Sequence, residues 1–212
     1  MTAQSQTPPP SAPARTPEDD LPPLNPGDRN NNPPGIGLLA LLREDYETFD
    51  RRLFEPGLWA IAVHRFGNWR MGLRPKIVRA PFSLLHRFLS AWVELLGGIH
   101  LPYTVRLGRR VRIWHHGGMV LHARSIGDDV HIRHCTTFGV ATKDRLRAIP
   151  TIGDRVDIGC GVAVLGDVTI HHDSLIGANA VVVTDIPPYS TAVGIPAKVI
   201  RRSPPPEGEG AS

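Results

Sequence analysis

The residues best suited to chemistry in this chain are six histidines that lie between positions 100 and 134. They are His100, His115, His116, His122, His131 and His134. His115 differs from the others because Gly117 and Gly118 follow it, and two glycines beside an imidazole leave room for a ligand or a close backbone approach. A neutral imidazole in such a place can take a proton from a hydroxyl group. The spacing therefore indicates His115 as a candidate general base, whereas the other histidines, each taken alone, fit polar turns.

The chain around His115 repeats every six residues, and this repeat must build the element that positions the histidine. Aliphatic residues fall six apart at Ile152, Ile158, Val164, Ile170, Ile176 and Val182, and earlier at Leu101, Leu107, Ile113 and Met119, then at Ile126, Ile132 and Phe138. Neither an α-helix nor a simple strand has this period. A hexapeptide repeat is typical of a β-helix, in which one aliphatic side chain per hexad points inward and three hexads close a coil.

The same spacing predicts one edge of the β-helix that carries the candidate site. The third position of hexads one coil apart is held by His115, His134, Cys160 and Ala178. With three hexads in a coil, these residues should stack along one edge, so that the two histidines are near neighbours. The next inward residue after Phe138 comes late, so residues 139–150 should form a polar loop outside the coil. Such excursions from a regular repeat often carry function.

Composition divides the chain into regions. Ten of the first 34 residues are proline, so residues 1–35 are predicted to be a disordered tail. Residues 36–98 carry apolar stripes at helical spacing and predict a small α-helical region. Residues 99–202 hold the repeat, with its loop at 139–150. Residues 203–212, rich in proline and glycine, predict a second disordered tail.

Cysteine content and charge limit the classes of function. Cys135 and Cys160 have neither the spacing of a disulfide framework nor that of a zinc site, so we expect a reducing cytoplasm and no metal. No uncharged apolar run is long enough to span a bilayer.

Between residues 56 and 112 the chain is basic, with ten Lys and Arg and one acid, Glu94. This is either a solvated face or a surface for peripheral membrane association. No nucleic-acid-binding module accompanies the charge, so nucleic acid is not expected as a partner.

Residues 101–202 resemble the hexapeptide-repeat acyltransferases, and most closely their serine acetyltransferase branch. The matching pieces are His115-His116-Gly117-Gly118-Met119-Val120, the repeats that begin at Ile126, Thr151 and Ile176, the looped coil after Thr137-Phe138-Gly139, and the closing segment 185–198, which ends in Gly194-Ile195-Pro196-Ala197-Lys198. The resemblance implies a mostly β fold, a left-handed parallel β-helix preceded by a small α-helical region. It also implies a homotrimer with active sites between subunits.

The resemblance further implies acetyl-CoA as the donor and direct transfer to an acceptor hydroxyl, with His115 as the general base. Main-chain groups near Gly139, Ala141, Cys160 and Ala178 would line the pantetheine arm of CoA, and Lys198 and Arg201 would reach its phosphates. The acceptor would lie among Trp114, His116, Gly117, Gly118, His134 and Arg147. His100 holds the place of the aspartate that orients the catalytic histidine in the family, so it is the second catalytic candidate. Cys160 is interpreted as a small residue that lines the groove and not as a nucleophile.

The sequence leaves the acceptor open. Ala148 and Ile149 stand where the family has the Arg-His pair that holds the serine carboxylate. Both L-serine, with a role in cysteine biosynthesis, and a sugar or glycan precursor, with a role in polysaccharide modification, therefore stay in view. A γ-carbonic-anhydrase-like metal lyase and a non-catalytic trimeric scaffold are the other classes. Stoichiometric zinc would favour the lyase, and absence of CoA binding would favour the scaffold.

Overall fold

The structure is a computed structural model that describes Glu18 and residues 20–202. A group of helices precedes the repeat. The helices are α1 (Leu38–Thr48), α2 (Pro56–Trp69), a short 3-10 turn (Arg70–Gly72) and α3 (Lys76–Gly97). Proline suits the first turn of α2 because its missing N–H would have no helical partner there. Gly98 ends α3 in the left-handed conformation with φ of 61°, which glycine adopts without strain. Of the described helices, none combines the length and the apolar character that crossing a bilayer requires.

The strands that follow α3 form the three faces of a prism, and within each face neighbouring strands are parallel except for the last strand of face C. Face A comprises β1 (Ile99–His100), β4 (Met119–Leu121), β7 (Thr137–Gly139), β10 (Ala163–Leu165) and β13 (Val181–Val182). Face B comprises β2 (Arg106–Leu107), β5 (Ser125–Ile126), β8 (Thr151–Ile152) and β11 (Thr169–Ile170). Face C comprises β3 (Arg112–Trp114), β6 (His131–Arg133), β9 (Asp157–Ile158), β12 (Leu175–Ile176), β14 (Ser190–Val193) and the antiparallel β15 (Lys198–Arg202).

The chain visits faces A, B and C in turn, and each new coil adds a parallel strand to every face. On face C, Ile113 pairs with Ile132, Ile132 with Ile158, and Ile158 with Ile176. These four side chains point inward and are no more than 2% exposed. Because each coil repeats the same three sides, the aliphatic residues stack into one continuous core. The coils form a left-handed parallel β-helix, which confirms the predicted fold class.

Helix α2 covers the open end of the first coil through buried polar side chains. The guanidinium of Arg65, which is fully buried, donates to the carbonyls of Leu107 and Gly108 and to the carboxylate of Asp45, with an Nε–Oδ2 distance of 3.1 Å. His64 Nε2 lies 2.9 Å from the Val105 carbonyl oxygen. Backbone carbonyls at a solenoid end lack a next coil to bond, so these side chains supply the missing donors.

Residues 20–35 contain no helix or strand, yet they contact the body of the protein. Asn25 Nδ2 donates to the Thr104 carbonyl at 2.7 Å, and Asn32 Nδ2 donates to the Arg65 carbonyl at 2.9 Å. The sequence predicted a disordered tail over 1–35 from its proline content. Proline content gives no information about side-chain hydrogen bonds such as these. The rest of that prediction, and the predicted tail at 203–212, lie outside the described residues.

Candidate active site

The candidate site lies on the edge where the chain passes from face C to face A, here called the C–A edge. His115, His134, Cys160 and Ala178 each come two residues after one of the paired isoleucines of face C. The strand register therefore stacks them one coil above another, as the hexad spacing predicted. The imidazole rings of His115 and His134 meet edge to face, with centroids 5.7 Å apart and an interplanar angle of 78°.

The backbone around His115 leaves open space beside the imidazole. His115 is exposed and adopts a φ of 62°, in the left-handed region that few residues other than glycine visit. Gly117 follows with φ of 104°, and a Cβ atom placed on it would meet nothing within 4 Å. Other turns of the coils share this conformation, including Cys135 and Asn179 on the same edge, so it belongs to the fold. The open space beside Gly117 is the feature that bears on ligand access. A small acceptor can thus approach the imidazole from the side of Gly117.

Trp114 fixes the strand that leads into His115. The guanidinium of Arg112 lies 3.8 Å from the centre of the Trp114 ring, and Arg112 also donates to Asp50 Oδ2 at 2.6 Å and to the Thr48 carbonyl at 2.8 Å. These contacts join β3 to the end of α1. Sequence reasoning missed them because the partners lie more than 60 residues apart along the chain.

Two buried ring nitrogens at the edge lack a hydrogen-bond partner among the described residues. They are Nε1 of Trp114 and Nδ1 of His134. A buried polar group without a partner is costly, so water or a ligand is expected to bond it. Both nitrogens belong to residues that the sequence assigned to acceptor binding.

His100 lies on face A and not on the C–A edge. It ends β1 and pairs with Val120, the middle residue of β4, so it lies within that face. Its Nδ1 is 2.7 Å from Glu94 Oε1, a contact that the sequence analysis did not find. His122 follows β4 at the edge where the chain passes from face A to face B, here called the A–B edge, and burial, with the nearby charge of His100, lowers its pKa. The role of His100 as a second catalytic residue stays a prediction.

The residues expected to line the CoA arm also divide between the two edges. Cys160 and Ala178 lie on the C–A edge, whereas Gly139 ends β7 at the A–B edge. Ala141 is also at the A–B edge, where its Cβ lies 3.6 Å from the position that a Cβ on Gly166 would take. Within one chain these four residues therefore lie on two neighbouring edges of the prism. Their role in binding CoA stays a prediction.

Lys198 and Arg201, the residues expected to bind phosphate, both lie on β15 and are exposed. Lys198 pairs with Val193 and Arg201 pairs with Thr191 of β14, so both stand at the last coil of face C. Because β14 also pairs with β12, Lys198 lies close to the end of the C–A edge that carries Ala178.

Arg147, the cation next to the predicted serine-carboxylate position, is engaged by Glu18 and by the arm of residues 20–25. The guanidinium of Arg147 donates to the Leu21 carbonyl, and its backbone N–H donates to Glu18 Oε1 at 2.8 Å. Ala148 and Ile149 are each 3% exposed, packed under the loop. Arg147 therefore holds the arm of residues 20–25 and does not, in this arrangement, face an acceptor.

A metal site is not assembled within one chain. Across Glu18 and residues 20–202, no three His, Cys, Asp or Glu side chains cluster closely enough to hold an ion. His115 and His134 are in contact, His100 lies within face A, and His131 packs against Trp114 with ring centroids 5.7 Å apart.

The comparisons with known proteins agree with the geometry. The chain is 39% identical over 156 residues to a serine acetyltransferase of Mycobacterium tuberculosis, covering 72% of the chain and 64% of that relative. It is 36% identical over 151 residues to a serine acetyltransferase of Helicobacter pylori, covering 71% of the chain and 84% of the relative. The chain belongs to the serine acetyltransferase family. No family model matches it.

The family's fold is seen in a solved structure as well. Soybean serine acetyltransferase complexed with serine superposes with a TM-score of 0.65 at 29% identity, covering 77% of this chain and 69% of that one. Membership confirms the resemblance drawn from the repeat and its closing segment. It also identifies the fold as one that carries acyltransferase chemistry in this family. The roles of individual residues are not tested by these matches and stay predictions.

Proposed function

We propose that the protein is an acetyl-CoA-dependent O-acetyltransferase in which His115 acts as general base. The observation that carries this is the setting of His115, which is exposed, left-handed, beside open space at Gly117, and in contact with His134. The imidazole accepts the hydroxyl proton as the acceptor oxygen attacks the thioester carbonyl. The new C–O bond forms, the C–S bond breaks, and the CoA sulfur takes the proton. No acyl-enzyme intermediate is needed.

His134 would support the base from the next coil. Its ring packs against His115, and its Nδ1 is buried without a hydrogen-bond partner among the described residues. Because the two rings are in contact, the acceptor would bind beside them. A polar group of the acceptor, or a water molecule, could then bond this nitrogen and hold the hydroxyl near His115. Trp114, His116, Gly117 and Gly118 would form the remaining walls. Positioning of this kind matters because small displacements of a reacting group cost large factors in rate.

Acetyl-CoA would lie between two copies of the chain in a homotrimer. The CoA residues divide between the C–A and A–B edges, so they can line one groove only if the C–A edge of one copy faces the A–B edge of the next. Closed cyclic symmetry repeats such a contact around a ring, and a three-sided prism suits threefold closure. Lys198 and Arg201 would then bind the CoA phosphates. His100, held by Glu94, stays the second catalytic candidate.

L-serine is the leading acceptor because the chain belongs to the serine acetyltransferase family and resembles a soybean member complexed with serine. The product, O-acetylserine, would place the reaction in cysteine biosynthesis. A sugar or glycan hydroxyl is the second candidate. It is favoured by one observation: Ala148 and Ile149 are buried and apolar, and Arg147 is engaged, so none of these three residues is placed to bind a carboxylate. The cytoplasm stays a prediction from the cysteine content.

Release of CoA thiol from acetyl-CoA, measured with L-serine and with a panel of monosaccharides, tests the proposal. We expect turnover with one acceptor class and a loss of about 10²–10⁴ in rate for His115→Ala, the usual contribution of a general base. His171→Ala is the matched control, because His171 is an exposed histidine that follows β11 on face B. An intact rate in a folded His115→Ala protein would remove His115 as the base. Turnover with sugars alone would select the second acceptor.

A further inference from the structure

Helix α3 presents a long apolar face that no described part of the chain covers. Eight apolar side chains on it are between 45% and 85% exposed: Ile77, Val78, Leu84, Leu85, Phe88, Trp92, Leu95 and Leu96. Most are spaced three or four residues apart, so they share one side of the helix. The opposite side packs on the body through His86, Val93 and Gly97, which are buried or half-buried. A soluble monomer rarely exposes an apolar patch of this extent without a use for it.

The apolar face continues beyond α3 onto the start of α2. Phe54 is 93% exposed and Trp59 is 49% exposed, and both line a groove with Trp92 and Leu96. Phe88 and Trp92 are in edge-to-face contact at 5.8 Å between centroids. Aromatic side chains with one apolar and one polar end are the residues that favour the boundary between hydrocarbon and headgroups. Because the aromatic side chains that line the groove are themselves exposed, the groove is open to its surroundings.

The rim of this face is basic. Arg74, Lys76 and Arg87 are exposed, and Arg79 is half-exposed. The only acid on α3, Glu94, already contacts His100. A basic rim around an apolar face complements a surface that is negative at its boundary and apolar beneath, which is the profile of an anionic bilayer.

We propose that α3 is an amphipathic helix that docks this protein on the surface of an anionic lipid bilayer. The 22-residue helix is about 33 Å long and would lie in the plane of the membrane, with Leu84 and Phe88 among the acyl chains. The basic rim would bind lipid phosphates. A second copy of the chain on the same face would bring two basic rims together. The acids beside the face, Glu94 and Glu55, already contact His100 and Arg52, so the charges favour an anionic lipid surface. This inference does not depend on the identity of the acceptor.

Flotation of the full chain with vesicles tests the proposal. Wild-type protein should float with vesicles of phosphatidylcholine mixed with phosphatidylglycerol, and weakly with phosphatidylcholine alone. Leu84→Glu/Phe88→Glu should abolish flotation because both side chains are exposed and would carry charge into the hydrocarbon. Arg74→Gln/Lys76→Gln/Arg87→Gln should reduce affinity about fivefold for each charge removed, and high salt should act in the same direction. Leu39→Glu is the control, since Leu39 is 82% exposed on α1.

Light scattering on the same samples separates lipid docking from self-association. Loss of flotation with an unchanged assembly state supports the proposal. It is overturned if wild-type protein fails to float with the anionic vesicles, or if the α3 variants float as well as the wild type. It is also overturned if Leu84→Glu/Phe88→Glu breaks the assembly while the wild type ignores vesicles, because the face would then be an interface between copies. Thiol release measured in parallel, without lipid, keeps this outcome apart from that of the proposed activity.

Discussion

Cys160 is the residue at the candidate site whose chemistry could compete with that of His115. It follows Ile158 by two residues and stacks above His134 on the C–A edge. A cysteine beside an imidazole can act as a nucleophile when the imidazole takes its proton. Transfer through such a thiol would pass through an acetyl-cysteine and give ping-pong kinetics. Direct transfer needs only that residue 160 be small, since a bulky side chain would fill the groove.

Substitution of Cys160 distinguishes these two routes. We expect Cys160→Ala to keep most of kcat, because alanine preserves the small size, and Cys160→Leu to raise KM for acetyl-CoA by narrowing the groove. If Cys160 were the nucleophile, Cys160→Ala would lose a factor of about 10⁴ or more in kcat, as covalent nucleophiles do. Steady-state kinetics with both substrates varied provide the measurement. Cys135→Ala, at an exposed cysteine on the same edge, is the matched control.

Around His115, the sequence predicted the neighbours that lie within the repeat and missed those that come from outside it. The contact with His134 follows from hexad counting, because equal positions in successive coils must stack. The cation over Trp114 does not, since Arg112 is oriented by Asp50 and Thr48, which belong to the helical region. The Glu94–His100 contact crosses the turn between α3 and β1 and has no periodic signal. Only a structure can reveal contacts of this kind.

At the scale of elements, the period of six predicted the coil, its inward residues and the loop at 139–150. The period fixes these features because each inward residue must meet its counterpart in the next coil. The period did not show that Gly139 and Ala141 lie on a different edge from Cys160, because the loop interrupts the count of hexads. The contacts of residues 20–35 were missed because they depend on single asparagine side chains such as Asn25 and Asn32.

Helix α2 and α3 carry two buried histidines that make the cap of the β-helix sensitive to acid. Burial lowers the pKa of His64 from 6.5 to about 3, and the positive charge of Arg65 acts in the same direction. Burial likewise lowers the pKa of His86 to about 4, with Arg70 adding to the effect. Both are therefore neutral in the folded protein near neutral pH. The neutral imidazole of His64 can donate to the Val105 carbonyl without placing a charge in the core.

We expect the free energy of unfolding to fall as the pH drops below 6.5. In the unfolded chain each histidine gains a proton near pH 6.5, whereas in the folded protein His64 does so only near pH 3. The unfolded state thus binds more protons in this window, and stability present above pH 6.5 is lost at about 1.4 kcal/mol per pH unit for each histidine. His64→Gln should make the slope shallower by about this amount.

Urea unfolding at a fixed protein concentration, repeated at several pH values above 4.5, measures that slope. The window excludes carboxylates such as Glu44, whose pKa is held below its usual 4.5 by Arg109. His171→Gln is the control, since His171 is exposed and should leave the slope as it is in the wild type. An unchanged slope in His64→Gln would mean that His64 is not the origin of the acid sensitivity.

At the scale of the whole molecule, the distribution of site residues over two edges determines what a single chain can do. His115, His134, Cys160 and Ala178 share the C–A edge, and Ala141 lies at the A–B edge. If these residues form the proposed site, a chain on its own presents two half-sites on different edges. If the proposed trimer forms, each copy completes the half-site of its neighbour. Activity then depends on assembly, although no catalytic side chain moves.

Mixed assemblies of two inactive variants test this dependence. His115→Ala removes the base from the C–A edge, and Ala141→Trp fills the groove at the A–B edge, where Ala141 is exposed and tolerates a larger side chain. Each variant alone should be inactive. If one site uses His115 of one copy and Ala141 of the next, random mixing of equal amounts restores about a quarter of the sites, because a threefold ring allows one productive order of neighbours in four. The measurement is thiol release from doubly tagged assemblies purified through both tags. This purification removes the trimers of a single variant, so about one site in three of the purified assemblies should be active. Activity in Ala141→Trp alone would remove Ala141 from the groove, and silent mixed assemblies would mean that each site lies within a single chain.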